Sequence, residues 1–131
     1  MVCAYRTAST SALLVIARIP PIHLLVEERC AIHEGANKKA VREIILGKWQ
    51  QKWQEEAHKG QWTKRLIPNL KEWIERKHGE TNYYLTQMIS GHGCFQYYRH
   101  RFKVADSEEC IYCNELDTAE HSFFECIKWE E

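Results

Sequence analysis

Four potential metal ligands near the C-terminus restrict the fold of this chain more than any other feature of its sequence. Cys110, Cys113, His121 and Cys126 form the pattern C-x2-C-x7-H-x4-C. Zinc prefers four such ligands in a tetrahedron, and C-x2-C delivers two thiolates from one tight turn. The pattern therefore predicts that the chain returns on itself around a Zn²⁺ ion, as a CCHC zinc knuckle. The alternative is three reduced cysteines and a histidine packed in a small core.

Four protein ligands fill a tetrahedral shell, so the predicted site is structural rather than catalytic. The tail that contains it has few large apolar groups of its own. A structural zinc contributes on the order of 10–16 kcal/mol of apparent binding energy in small finger peptides, enough to order such a segment. Removal of the metal is therefore expected to unfold residues 104–131 while the upstream helices remain.

Upstream of this tail, apolar residues recur with helical periodicity. Thr10 or Ser11 can begin a short helix that runs to about Arg18, and Pro20 and Pro21 then separate it from a second helix at about 22–33. On that second helix the expected apolar stripe consists of Ile22, Leu25, Val26 and Cys30. A longer helix follows Asn37, with its apolar face expected at Val41, Ile45, Leu46, Trp49 and Trp53.

The remaining helices are shorter and are bounded by glycines. Asn69 with Glu72 fits a capping box, with Gly79 expected to end that helix. Gly91 and Gly93 should end the next one, and the basic, aromatic run CFQYYRHRF forms the last, with Cys94 expected in the core. Because strand-like alternation is nearly absent, the sequence predicts an all-α bundle of five to six helices over 1–103 and a zinc knuckle tail over 104–131.

Charge is distributed unevenly along the chain. Residues 38–103 hold fourteen Lys and Arg against six Asp and Glu, a surplus of eight, whereas residues 104–131 hold one against nine, a deficit of eight. One interpretation is a surface that binds a polyanion, RNA or DNA, through phosphates and stacked rings. The other is solvated helix faces that neutralise the tail. The candidate nucleic-acid-binding residues are Lys64, Arg65, Tyr98, Arg99, Arg101 and Lys103.

Cysteine content and hydropathy indicate the cellular compartment in which the protein is expected. The longest apolar run, ALLVIA at residues 12–17, is too short for a signal segment or a membrane span. Six cysteines without such a signal favour a reducing compartment, in which clustered thiols bind metal. We expect an intracellular protein, nuclear or cytoplasmic, with no membrane association.

The run RLIPNLKEWIERKHGETNYYLTQMISGHGCFQYYRHRF, followed by the Cys/His pattern, closely resembles the C-terminal region of reverse transcriptases from arthropod non-LTR retrotransposons of the jockey-like group. The upstream run AYRTASTSALLVIARIPPIHLLVEER resembles the stretch that follows the polymerase domain in those polyproteins. The resemblance implies a module appended to a polymerase, which would handle template RNA or target DNA during target-primed reverse transcription.

The chain departs from that family in its catalytic residues. It lacks the Y-x-D-D aspartates of the polymerase palm and the metal-binding acids of the endonuclease. Because two-metal nucleotidyl transfer needs those carboxylates, no catalysis by the chain alone is expected. The sequence is interpreted as a fragment of a mobile element that binds nucleic acid. The alternatives are a module that docks on the polymerase domain of the parent element and a degenerate relic without activity.

Overall fold

Helices account for most of the residues that the computed structural model describes, which are residues 6–130. The all-α prediction is confirmed, since within this range the only β pairing is an isolated bridge between Glu109 and Leu116. The α-helices of this range are α1 (Thr10–Ala17), α2 (Ile22–His33), α3 (Lys38–Glu55), α4 (Gln61–Leu66), α5 (Leu70–Glu75), α6 (Tyr83–Ser90) and α7 (Gln96–Arg101). A π-helical turn (His121–Glu125) and a 3₁₀ turn (Ile127–Trp129) follow.

The described part of the chain thus holds one helix more than the five to six predicted, because residues 61–75 form two helices. Ile67 leaves the helical region with φ −127° and ψ 72°. Pro68 follows it, and a proline disfavours the α conformation of the residue before it. Asn69 then starts α5 as predicted, its side-chain oxygen accepting hydrogen bonds from the backbone N–H groups of Lys71 and Glu72.

The centre of the bundle is α3. All five apolar residues predicted for its buried face are buried, and Trp53 is only 2% exposed. Asn37 caps the helix, and Gly47 does not interrupt it. Around this face, buried residues of α1, α2, α5 and α6 complete one hydrophobic core.

Tryptophan side chains tie neighbouring elements together through their indole N–H groups. Trp53 donates to the carbonyl oxygen of Ile67, and Trp73 donates to that of Val15 at the end of α1, each at 2.8 Å. Trp62 on α4 donates to Met88 in the last turn of α6, also at 2.8 Å. The carbonyls of Val15 and Met88 also accept from the backbone N–H groups of Arg18 and Gly91, at 3.0 and 3.2 Å, so that there the indole adds a second hydrogen bond at the helix end.

The apolar stripe predicted for α2 is wrong. Ile22 is 74% exposed and Val26 is 55% exposed, whereas Leu24 and Glu28 face the core. Glu28 can face the core because Arg42 on α3 donates to its carboxylate at 2.9 Å, so that the charge is paired where it is buried.

Two further predictions near the end of the bundle are wrong. α5 ends at Glu75 rather than near Gly79, and the Arg76 guanidinium stacks on the Trp73 ring at 3.2 Å from its centroid. Cys94 is exposed rather than in the core. Gly91 does end α6 as predicted, with a left-handed φ of +68°.

Within residues 6–130 no single helix is both long enough and apolar enough to cross a membrane. The consecutive helices α1 and α2, which meet at a bend of 51°, meet those criteria of length and composition only as a pair.

Candidate metal centre

The first two cysteines of the cluster lie on one tight turn. The backbone N–H of Asn114 donates to the carbonyl of Cys110 at 2.9 Å, and the N–H of Cys110 donates to that of Glu115 at 2.7 Å. Asn114 adopts a left-handed φ of +61°, a conformation that asparagine tolerates better than most residues. The turn therefore brings the side chains of Cys110 and Cys113 together, as the C-x2-C spacing predicts.

His121 and Cys126 are brought together by a π-helical turn. The hydroxyl of Thr118, three residues before this turn, accepts from the N–H of His121 at 3.1 Å, and the N–H of Cys126 donates to the carbonyl of His121 at 2.9 Å. In an α-helix, five residues at 3.6 per turn leave two side chains about 140° apart. The i to i+5 hydrogen bond of a π turn instead places them next to each other.

All four ligand atoms lie within 4.8 Å of one another. The Sγ atoms of Cys110 and Cys126 are 3.7 Å apart, close to the edge of about 3.8 Å that a tetrahedron with Zn–S bonds of about 2.3 Å requires. Cys113 Sγ lies 3.1 Å from Nε2 of His121. The cysteines of the cluster are free thiols, and all ligands except the half-buried Cys113 are buried. This group can hold a metal ion, and its four donors leave no open position for a substrate.

The pKa values of the two cysteines of the turn are shifted in opposite directions. Burial alone raises the pKa of the Cys110 thiol, but hydrogen bonds from the Tyr112 backbone and from His121 outweigh it and lower the pKa to about 7. The pKa of Cys113 is raised: a backbone hydrogen bond lowers it, but burial and the neighbouring Cys110 and Cys126 outweigh that effect. Cys110 is therefore the thiol of this pair that ionises first.

A carboxylate lies behind the histidine. Nε2 of His121 faces the thiols, and its other ring nitrogen, Nδ1, lies 4.0 Å from Oε2 of Glu125. Metal-bound histidines commonly direct the second nitrogen to a carboxylate, which fixes the tautomer and raises the basicity of the ligand nitrogen. Glu125 was not among the predicted site residues, although its position four residues after His121 was a usable signal.

Asp117 joins the cluster to the helical bundle. Its Oδ2 accepts from the N–H of Gln96 at 2.8 Å, and its carbonyl accepts from the N–H of Tyr97 at 3.2 Å, so that it caps the N-terminus of α7. Its Oδ1 accepts from the hydroxyl of Ser122 at 2.5 Å, inside the π turn. One carboxylate thus holds both α7 and the segment between the metal ligands.

A salt bridge and two ring contacts strengthen this junction. Arg65 on α4 donates two hydrogen bonds to Glu120, at 2.6 and 2.9 Å, which raises the pKa of the arginine and lowers that of the glutamate. Phe124 packs near Trp62, and Phe123 near Phe95, each with ring centroids 6.2 Å apart.

The residues predicted to bind nucleic acid fall into two groups. Arg99, Arg101 and Lys103 are exposed on α7 and just after it. The other group is engaged within the chain. Arg65 is paired with Glu120, Lys64 donates to backbone carbonyls at the end of α3, including that of Gln54 at 3.2 Å, and half-buried Tyr98 shares a hydrogen bond with Thr7.

One curated protein is similar to this chain. The retrovirus-related Pol polyprotein from type-1 retrotransposable element R1 4 of Nasonia vitripennis is 27% identical over 96 residues. The match covers 72% of this chain and 24% of that protein, so that the chain corresponds to about a quarter of the relative's length. No protein-family model and no solved structure matches the chain. The similarity to this Pol polyprotein supports a retrotransposon origin.

Proposed function

We propose that this chain is a nucleic-acid-binding accessory segment of a retrotransposon Pol polyprotein, held in shape by Zn²⁺ at Cys110, Cys113, His121 and Cys126. The similarity to a Pol polyprotein supports the origin. The finer assignment to the jockey-like group of arthropod non-LTR elements rests on the sequence motifs. In the parent element the segment would hold template RNA or target DNA while the polymerase domain supplies the chemistry.

The choice of zinc follows from the donor set. Three thiolates and one imidazole are soft or borderline ligands, which disfavour Mg²⁺ and Ca²⁺. An approximately tetrahedral S₃N group is typical of structural zinc. When bound, the ion would fix the two turns against each other, and the residues around it would orient the tail on the bundle.

The observation that supports nucleic-acid binding best is the surface of α7. Exposed Arg99, Arg101 and Lys103 lie in the same short run, residues 97–103, as the half-exposed rings of Tyr97 and Phe102. Cations contact the phosphates of a single strand, and aromatic rings stack on its bases. The tail is acidic, so affinity is assigned to α7 rather than to the knuckle.

Salt dependence of RNA binding tests the proposal. Zinc-loaded protein is titrated into a labelled single-stranded RNA at several salt concentrations, and affinity is followed by fluorescence anisotropy. Each phosphate contact to a single strand contributes about −0.7 to the slope of log K against log salt. The double variant Arg99→Glu, Arg101→Glu should therefore weaken binding and reduce the slope by about 1.4.

A matched control carries the same change of charge elsewhere. Lys38 and Lys39, both exposed at the start of α3, are reversed to glutamate in the same way. This control should keep the slope of the unmodified protein. Undetectable RNA binding at low salt, or equal losses in the two double variants, would refute the assignment to α7.

A second candidate function is docking on the polymerase domain of the parent element. It is favoured by the exposed apolar side chains of Ile22 and Val26 on α2 and of Ile44 on α3, which is 58% exposed. Under this alternative, Ile22→Asp with Val26→Asp would abolish binding to that domain in a pull-down, whereas the α7 variants would leave it unchanged.

A further inference from the structure

A cavity of about 470 Å³ lies beside α7, away from the four metal ligands. Such a volume falls within the range of about 300–1,000 Å³ that is usual for small-ligand sites. Its lining is mainly apolar and aromatic, with two guanidinium groups. The lining residues are Arg6, Thr7, Gly93, Cys94, Tyr98, Arg99, Phe102 and Val104.

Two aromatic rings line the cavity, and their positions are fixed by contacts. Tyr98 lies edge-on to His92, with ring centroids 5.0 Å apart, and its hydroxyl shares a hydrogen bond with that of Thr7. Phe102 packs on Tyr98 with centroids 4.9 Å apart and is 46% exposed. A ring that is packed against a neighbour and still partly exposed can stack on a planar ligand with little loss of side-chain conformational entropy.

The position of Val104 in the lining is set by the way α7 ends. The N–H of Val104 donates to the carbonyl of Arg99 at 3.0 Å, and the N–H of Lys103 donates to that of His100 at 2.9 Å, the two bonds of a Schellman motif. Lys103 accordingly takes a left-handed φ of +56°. The reversal turns the chain back, so that Val104, which is 65% exposed, lines the same cavity as Phe102.

The charges around the cavity are of one sign. Arg6 and Arg99 line it, and among residues 6–130 no carboxylate does. A ligand with a flat apolar part and an adjacent negative group would complement this arrangement. A purely apolar ligand would offer no counter-charge to the two guanidinium groups.

We propose that this cavity receives one unpaired nucleobase of a bound single strand, with the base stacked on Phe102 and its phosphate at Arg6 or Arg99. The inference rests on the proposed nucleic-acid binding and adds a defined site to it. It assigns a role to Arg6, Cys94 and Val104 in forming the cavity, and it makes the site one for an extruded base rather than for a duplex, whose bases are stacked and paired.

The test pairs a change in the protein with a change in the RNA. Phe102→Ala should weaken binding of a short single-stranded RNA by about 5- to 100-fold, the range expected for stacking of one base on an aromatic ring. Phe102→Tyr, which keeps the ring, should restore the affinity. Tyr84→Ala is the matched control, because Tyr84 is an aromatic residue that is 79% exposed on α6, outside the cavity.

The same oligonucleotide is then made with a single abasic position, moved through the strand. At one position the abasic RNA should bind the unmodified protein as weakly as the intact RNA binds Phe102→Ala. At that position, the abasic RNA and Phe102→Ala combined should reduce the affinity no more than either change alone. Tight binding of RNA that is insensitive to both changes would overturn the base site while leaving the proposed function intact, whereas no binding of any RNA would overturn both.

Discussion

Asp117→Ala should destabilise the protein more than its position in a surface turn suggests. The side chain accepts one hydrogen bond from the backbone of Gln96 and one from the hydroxyl of Ser122. The N-cap position of α7 is held by Phe95, whose side chain makes no cap hydrogen bond, so Asp117 supplies that cap from a distant part of the chain. Alanine removes both bonds at once.

The size of the effect follows from the kind of bond that is lost. A hydrogen bond to a charged group contributes about 1.5–3 kcal/mol, and loss of an N-cap typically costs about 1 kcal/mol. Asp117 is only half-buried, which favours the low end for both bonds. We expect a decrease of about 2–3 kcal/mol in the free energy of unfolding. Asp117→Asn keeps the shape and one acceptor oxygen, and should lose about 1 kcal/mol.

Urea unfolding of the zinc-loaded protein at fixed free zinc measures this difference, because bound metal itself contributes to apparent stability. Asp106→Ala is the matched control, an exposed aspartate in the same acidic tail. The two alanine variants change net charge equally. A decrease below about 0.5 kcal/mol for Asp117→Ala, or one no larger than that of Asp106→Ala, would refute the coupling between the cluster and α7.

Three further predictions concern the metal and the bundle. A strong chelator should unfold residues 104–131 and should also raise hydrogen exchange in α7, since its cap lies between the metal ligands, while α3 stays protected. Zinc affinity should fall from pH 8 to pH 6, and more steeply below about pH 7. Cys113, whose pKa is raised, must lose a proton to bind zinc throughout this range, and Cys110, whose pKa is about 7, must also do so below that value; zinc titrations at the two pH values measure the difference. Gly91→Ala should lower the free energy of unfolding by more than about 1 kcal/mol, because φ is +68° and the new Cβ would lie 3.0 Å from Cδ1 of Trp62; unchanged thermal unfolding would contradict this.

The long helix shows why part of the fold could be predicted from the sequence. Val41, Ile45, Trp49 and Trp53 recur every four residues, and that local periodicity identifies one face of a helix without knowledge of its neighbours. The apolar stripe predicted for α2 was wrong because the burial of its residues depends on a neighbouring helix. Whether Glu28 can be buried depends on Arg42 in another helix, and a distant partner cannot be read from the composition of one segment.

The metal cluster, too, could be predicted from the sequence only in part. Its four donors were identified from spacing, because two ligands with two to four residues between them can be supplied by one local turn. The π turn that brings His121 next to Cys126 was not predicted, and neither was the cap that Asp117 provides for α7. Both depend on how the tail packs on the bundle. The cavity beside α7 was missed as well, because Arg6 and Val104 are far from each other in sequence.

The opposite charges of body and tail determine which cations remain available. Glu120 binds Arg65, so the acidic tail neutralises part of the basic surface where it packs on the bundle, and Glu108 lies 3.7 Å from Nδ1 of His100. The neutralising interpretation of the charge distribution therefore applies to this junction, whereas the polyanion-binding interpretation stays a prediction for α7. Arg99 lies outside these two pairs, and so does Lys103 beyond the end of α7. If the tail limits binding to that surface, Glu120→Gln should release Arg65 and extend RNA binding toward α4, increasing the salt slope by about 0.7.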